Sequence, residues 1–132
     1  MILYTTVGTS DLPRSITFYD AVFKALGVPR AEGWTESWAG WGPSYDDGVS
    51  FWICAPFDGR APSPGNGPMI ALRAGTATVV QAFHAAALAN GGTDEGAPGI
   101  RPYYEPSFYV AYVRDPDGNK LACVFHKHVP EG

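Results

Sequence analysis

The side chains able to move a proton, attack as a nucleophile or hold a metal are few in this sequence: three histidines, two cysteines and thirteen carboxylates among 132 residues. His84 falls within an Ala-rich helical pattern and reads as a helix-surface residue. His126 follows Ala122 by four residues, so the two-residue period of a strand puts both on one face. Its imidazole is a candidate proton acceptor near neutral pH, whereas His128 reads as a solvated tail residue. Together the two make a weak chelating pattern. Glu105, beside Tyr103 and Tyr104, is a loop carboxylate that could take a proton or contact a ligand amine. Asp115 and Asp117 look like a catalytic pair, but Asp-Pro-Asp-Gly between two strands is what a tight turn requires, and Asp46-Asp47-Gly48 reads the same way. Cys54 and Cys123 lie inside apolar runs, which predicts buried free thiols rather than a disulfide or a thiolate metal site. Gly65-Asn66-Gly67 leads into a strand rather than a helix and is no phosphate loop.

The tryptophans carry a second kind of chemistry. Strand alternation puts Trp34 and Trp38 on one face, with Trp41 at the strand's end and Trp52 on the next strand. Four indoles with Tyr4 and Met69 exceed what one thin helix interface needs, so at least two are expected to line a cleft. Such a surface binds flat or apolar ligands by stacking and burial, and cations through the ring faces.

Composition narrows the setting. Hydrophobic residues make up 45% and charged residues 17%, below a typical share of about 25%, which fits a single globular domain with a real core. Nine Lys and Arg against thirteen Asp and Glu give a net charge of −4, with the basic residues scattered singly, so no footprint for nucleic acid is present. The N-terminus has no basic region, long apolar core or cleavage pattern, and nowhere do about 18 apolar residues run together. The expectation is a cytoplasmic protein without a membrane partner.

The elements that must position these side chains follow from periodicity. Ile2 to Gly8 alternates as a strand, Ser10-Asp11 and Pro13 mark a helix start, and apolar residues at Leu12, Ile16, Tyr19, Phe23 and Leu26 recur at helical spacing until Gly27. Trp34 to Trp41 and Val49 to Cys54 read as strands joined by a Gly/Pro/Asp turn. After a broken connector, the order repeats: strand Met69 to Arg73, cap Thr76, helix Ala77 to Ala89, a loop from Asn90 to Pro106, and strands Phe108 to Arg114 and Lys120 to His126. Each unit reads as β-α-β-β. Tyr4 aligns with Met69 and Gly27 with Gly92 at an offset of 65, and Trp52 with Ala122 at 70, as in a structural duplication. The expected organisation is one domain over 1–132, with module one at about 1–55, a connector at about 56–67 and module two at about 68–128.

The duplicated unit, the phrase Asp11-Leu12-Pro13-Arg14-Ser15-Ile16-Thr17-Phe18-Tyr19 after the first strand, and Asp115-Pro116-Asp117-Gly118-Asn119-Lys120-Leu121 before the last together resemble the glyoxalase/bleomycin-resistance/extradiol-dioxygenase (vicinal oxygen chelate) superfamily. The resemblance covers nearly the whole chain. It implies an α+β fold in which two βαβββ-type modules form a half-open barrel around a cleft, commonly in a homodimer. Metal-using members take ligands from each module's first and last strands. Those positions match Tyr4, Met69, Trp52 and Ala122 here. A phenol, a thioether, an indole and a methyl group supply no strong donor to zinc, nickel, iron or manganese.

The expectation is therefore a metal-independent binder without a cofactor. A small aromatic or apolar molecule would be held in a cleft of Tyr4, Trp38, Trp52, Met69, Tyr104 and His126. Two other readings stay open. One is a lyase or isomerase of glyoxalase-related type, using Tyr4, Glu105 or His126 as acid or base, or a displaced metal. The other is a non-catalytic scaffold whose cleft its own side chains fill.

Overall fold

Each helix starts at a side chain that satisfies free N–H groups and ends at a left-handed glycine. In the computed structural model, which describes residues 1–33 and 36–128, the order is β1 (Tyr4–Gly8), α1 (Leu12–Ala25), β2 (Trp38–Trp41), β3 (Ser50–Cys54), β4 (Ile70–Arg73), α2 (Ala77–Ala89), β5 (Thr93–Ile100), β6 (Tyr109–Arg114) and β7 (Lys120–Phe125). Asp11 accepts from the Arg14 N–H at 3.1 Å and Thr76 from the Val79 N–H at 3.2 Å, each covering an orphan donor of the first turn. At the other ends Gly27 (φ 76°) and Gly91 (φ 95°) turn the chain. The following N–H groups, of Val28 and Gly92, then donate to the Phe23 and Ala87 carbonyls.

The strands form two sheets, in the orders β1-β3-β2 and β4-β7-β6-β5. Neither closes into a barrel among the described residues. In both sheets the first and last strands of the unit pair in parallel and the last pairs antiparallel with the one before it. Their registers match: Thr6 faces Trp52 in one sheet and Ala71 faces Ala122 in the other, which are the offsets of 65 and 70. The architecture is α+β, as expected.

The second unit is not β-α-β-β. Residues Thr93–Ile100, read from sequence as part of a loop, form the edge strand β5, and its pairing with β6 shifts register between Asp94 and Gly96 and again between Gly96 and Gly99. An edge strand with bulges tolerates Gly and Pro98 because one side of its backbone needs no partner. Of the expected strand Trp34 to Trp41, Trp38–Trp41 forms β2, and Trp34 lies outside the described residues.

Alternation sends one face of each sheet onto a helix. Phe18, Tyr19, Val22 and Phe23 of α1 meet Ala39, Trp41, Phe51 and Ile53; Val80, Phe83 and Ala87 of α2 join the same core with Ala111, Val113, Leu121 and Cys123. Trp41 is a core residue. Its ring stacks on Phe23 at 5.5 Å, and its indole N–H donates to the Asp20 carboxylate at 3.1 Å. The opposite face of each sheet is left without a helix. Among the described residues no helix is long and apolar enough to cross a membrane.

The turn Asp115-Pro116-Asp117-Gly118 ties the units together. Asp115, 3% exposed, accepts from the Tyr19 hydroxyl at 2.5 Å, from the N–H groups of Asp117 and Asn119 at 2.9 Å, and from Asn119 Nδ2 at 2.8 Å. The same Asn119 amide donates to the Gly8 carbonyl at 3.0 Å. Asp117 accepts from the Ser10 N–H, the Ser10 hydroxyl and Arg14, each at 2.9 Å. A hydrogen bond to a charged group contributes about 1.5–3 kcal/mol, so Tyr19→Phe is expected to destabilise the protein by about 2 kcal/mol in a denaturant titration, and Asp115→Ala by more.

The pH dependence has two arms. Burial and the neighbouring Asp115 raise the Tyr19 phenol well above its ordinary 10.0, so its contribution is complete below pH 10.0 and is lost as pH rises further. Burial works against ionisation of Asp117, but the Thr9 and Ser10 hydrogen bonds and Arg14 outweigh it and lower the carboxyl from 3.8. That contribution is complete above pH 3.8 and is lost as pH falls below it. Stability curves against pH should lose part of their alkaline arm in Tyr19→Phe and part of the acid arm in Asp117→Asn.

Candidate functional site

The helix-free face of the first sheet carries a pocket of about 390 Å³ lined by Tyr4, Thr6, Trp38, Tyr45, Trp52 and Cys54. The two-residue period explains the set. Tyr4 and Thr6 alternate on β1 and Trp52 and Cys54 on β3, while Trp38 starts β2 opposite Cys54.

Trp52 is seated by two features. Gly40 lies beneath it on β2, where a Cβ would come within 2.4 Å of the indole ring, and the indole N–H donates to the Ser50 hydroxyl at 2.9 Å. Tyr45 reaches the pocket from the turn between β2 and β3. Gly42 opens that turn at φ 111°, where a side chain is disfavoured and a Cβ would crowd the backbone of Val49 and Ser50. Tyr45 stacks on Tyr4 with centroids 5.7 Å apart. None of the six lining residues is an Asp, Glu, Lys, Arg or His, so the walls offer ring faces, two phenols, a hydroxyl and a thiol.

Of the residues singled out from sequence as cleft-lining, Tyr4, Trp38 and Trp52 are brought together here; Met69, Tyr104 and His126 are not among the lining residues. Met69 precedes β4 and is exposed. Tyr104 packs against Tyr103 and Phe108 and hydrogen-bonds Tyr112, whose phenol is pushed up to about 12 by burial first and by Tyr104 next. His126 follows β7 and is bonded through Nε2 to Arg73. Glu105 is exposed and accepts from the Ser107 hydroxyl at 3.3 Å. The three acid–base candidates Tyr4, Glu105 and His126 thus occupy three different settings. His84 pairs with Asp94 at 2.9 Å on the surface between α2 and β5, which lowers the Asp94 carboxyl. Both cysteines are free. Cys123 is buried, and burial pushes its thiol up to about 12, whereas Cys54 is half-buried in the pocket wall.

Thr6 and Cys54 could have been found by stepping two residues along the strands from Tyr4 and Trp52. Tyr45 could not, because no periodicity places a residue of an irregular turn.

The model of the Glyoxalase/Bleomycin resistance protein/Dioxygenase superfamily matches residues 1–123. The chain belongs to this superfamily. Among solved structures, a glyoxalase/bleomycin resistance protein from Albidiferax ferrireducens T118 is 36% identical, with 98% of this chain and 99% of that chain covered and a TM-score of 0.83. A glyoxalase/bleomycin resistance protein/dioxygenase family enzyme from Burkholderia phytofirmans PsJN is 21% identical over 92% and 95% at a TM-score of 0.71. A lactoylglutathione lyase from Agrobacterium tumefaciens is 19% identical over 94% and 92% at 0.62. The last two show the fold alone. No curated protein matches the sequence.

The positions that the resemblance implies for metal ligands carry Tyr4 on β1, Trp52 on β3, Ala122 on β7 and Met69 just before β4, and Ala122 is only 1% exposed. Among the described residues no three His, Cys, Asp or Glu side chains converge anywhere. This donor set does not fit a divalent ion, which requires imidazole, thiolate or carboxylate ligands.

The seat of Trp52 is directly testable. Gly40→Ala places a methyl where the ring lies, so Trp52 must move toward solvent. The expected result is a red-shifted tryptophan emission with an unchanged far-ultraviolet circular dichroism spectrum; unchanged emission would show that the ring does not rest on Gly40.

Proposed function

We propose that this superfamily member is a metal-independent binding protein for a small, flat aromatic or apolar molecule, acting in the cytoplasm as a homodimer. The observation that carries the reading is the pocket walled by Tyr4, Trp38, Tyr45 and Trp52, in which Tyr4 and Trp52 stand at two of the four positions that the resemblance assigns to metal ligands. Ring faces bind a flat ligand by stacking and desolvation, and a cationic one gains further from the ring quadrupoles. A net charge of −4 favours the approach of such a cation. The mode resembles that of antibiotic-sequestering members of the superfamily.

Two observations support binding over the alternatives. The open volume argues against a cleft filled by its own side chains. The scatter of Tyr4, Glu105 and His126 supplies no paired acid and base for a lyase or isomerase. For the dimer, exposed Ile2, Leu3 and Met69 offer apolar surface to a second copy.

Calorimetric titration with quinoline and N-methylquinolinium, before and after divalent ions are stripped with a chelator, tests the reading. Saturable binding of either probe is expected to survive chelation and to weaken at least tenfold in Trp52→Ala. Binding that disappears on chelation and returns with added zinc would contradict it.

A further inference from the structure

The helix-free face of the second sheet has a different chemistry. Arg73 closes β4 and pairs in register with Val124 of β7, and His126 stands two residues beyond Val124. Strand alternation puts Ala71, Arg73 and Val124 on one face, and His126, in the turn just past β7, is brought to it by its bond to Arg73. Together with Leu72 and Phe108 they line a depression of about 230 Å³ that shares no residue with the aromatic pocket.

Arg73 is bonded to an imidazole, whereas Arg101 donates to the Ala97 carbonyl and lies over the Tyr112 ring. Arg14, Arg30 and Arg114 each face a carboxylate, of Asp117, Asp20 and Glu95. Among the described residues no carboxylate pairs with Arg73, and none lines the depression. Its recorded partner is His126 Nε2. A guanidinium only donates, so Nε2 must accept and the imidazole must carry its proton on Nδ1. An arginine held this way keeps its full charge and most of its planar fork, beside apolar side chains, in a protein that is acidic as a whole.

We propose that Arg73 and His126 form a carboxylate-binding subsite, for a ligand whose apolar body rests on Phe108, Val124 and Ala71. The carboxylate takes the guanidinium fork and displaces Nε2. The released imidazole, with its proton moved to Nε2 through solvent, then donates to the same carboxylate. Inorganic phosphate shares the charge but has no apolar body to bury, so the lining favours a carboxylate. The proposal is independent of the aromatic pocket and stands or falls separately from it.

The test is nuclear magnetic resonance on the full chain labelled with nitrogen-15, titrated with sodium benzoate, with the neutral isostere benzamide and with inorganic phosphate. Benzoate is expected to give saturable shifts at the Val124 and His126 amides and to convert His126 Nε2 from an acceptor-type to a donor-type resonance. Benzamide and phosphate are expected to bind at least tenfold more weakly. Arg73→Gln should weaken benzoate at least tenfold, and Arg73→Lys by less; because Arg73 is exposed, the rest of the amide spectrum should be preserved. The proposal is overturned by equal binding of benzoate and benzamide, by phosphate binding as tightly as benzoate, by benzoate binding unchanged in Arg73→Gln, or by the absence of saturable shifts at these residues.

Discussion

Asp115 sits at the end of a hairpin turn in the second unit, yet half of what its carboxylate does concerns the first. One oxygen holds the turn's own N–H groups; the other accepts from the Tyr19 hydroxyl, 96 residues earlier in the chain, and from the Asn119 amide that also reaches the Gly8 carbonyl. A buried carboxylate is stable only while such donors surround it, so the arrangement is all or nothing. It fixes the end of β1 and the middle of α1 against the β6–β7 turn. The two helices share one core as a result, and the two helix-free sheet faces are left for other uses.

Those faces have diverged from a common plan. Equivalent positions carry Tyr4 and Met69, Thr6 and Ala71, Trp52 and Ala122. On the first sheet, large rings border a pocket, with Gly40 making room for one of them. On the second, small Ala71 and Ala122 lie side by side, Tyr104 is bonded to Tyr112, and Arg73 and His126 provide the polar end. On the readings proposed above, the scaffold holds a ligand through stacking at one face and charge at the other, with side chains from strands and from the turns beside them.

Much of this was legible in the sequence. Both helices and both caps were, since apolar spacing, Asp11 and Thr76, and the glycines at the ends all agree. The register of the duplication was legible too. The edge strand β5 was not, because bulges and an unpaired side let it carry Gly96, Pro98 and Gly99, which read as loop. Asp-Pro-Asp-Gly announced a turn but not its distant partner, since a carboxylate that closes a turn and one that also meets Tyr19 look alike in sequence. The cleft set divided for a similar reason. Tyr4, Trp38 and Trp52 follow strand parity, whereas the place of Tyr104 depends on how the segment before β6 folds back to Tyr112, which no periodicity encodes.

Native mass spectrometry of the protein as purified without chelator, followed by ligand titration, measures subunit number, bound metal and bound small molecule in one spectrum. The account predicts one small aromatic molecule per subunit with no added mass of a divalent ion, and a ligand-bound fraction unchanged after chelation. A stoichiometric divalent ion whose removal releases the ligand would contradict it.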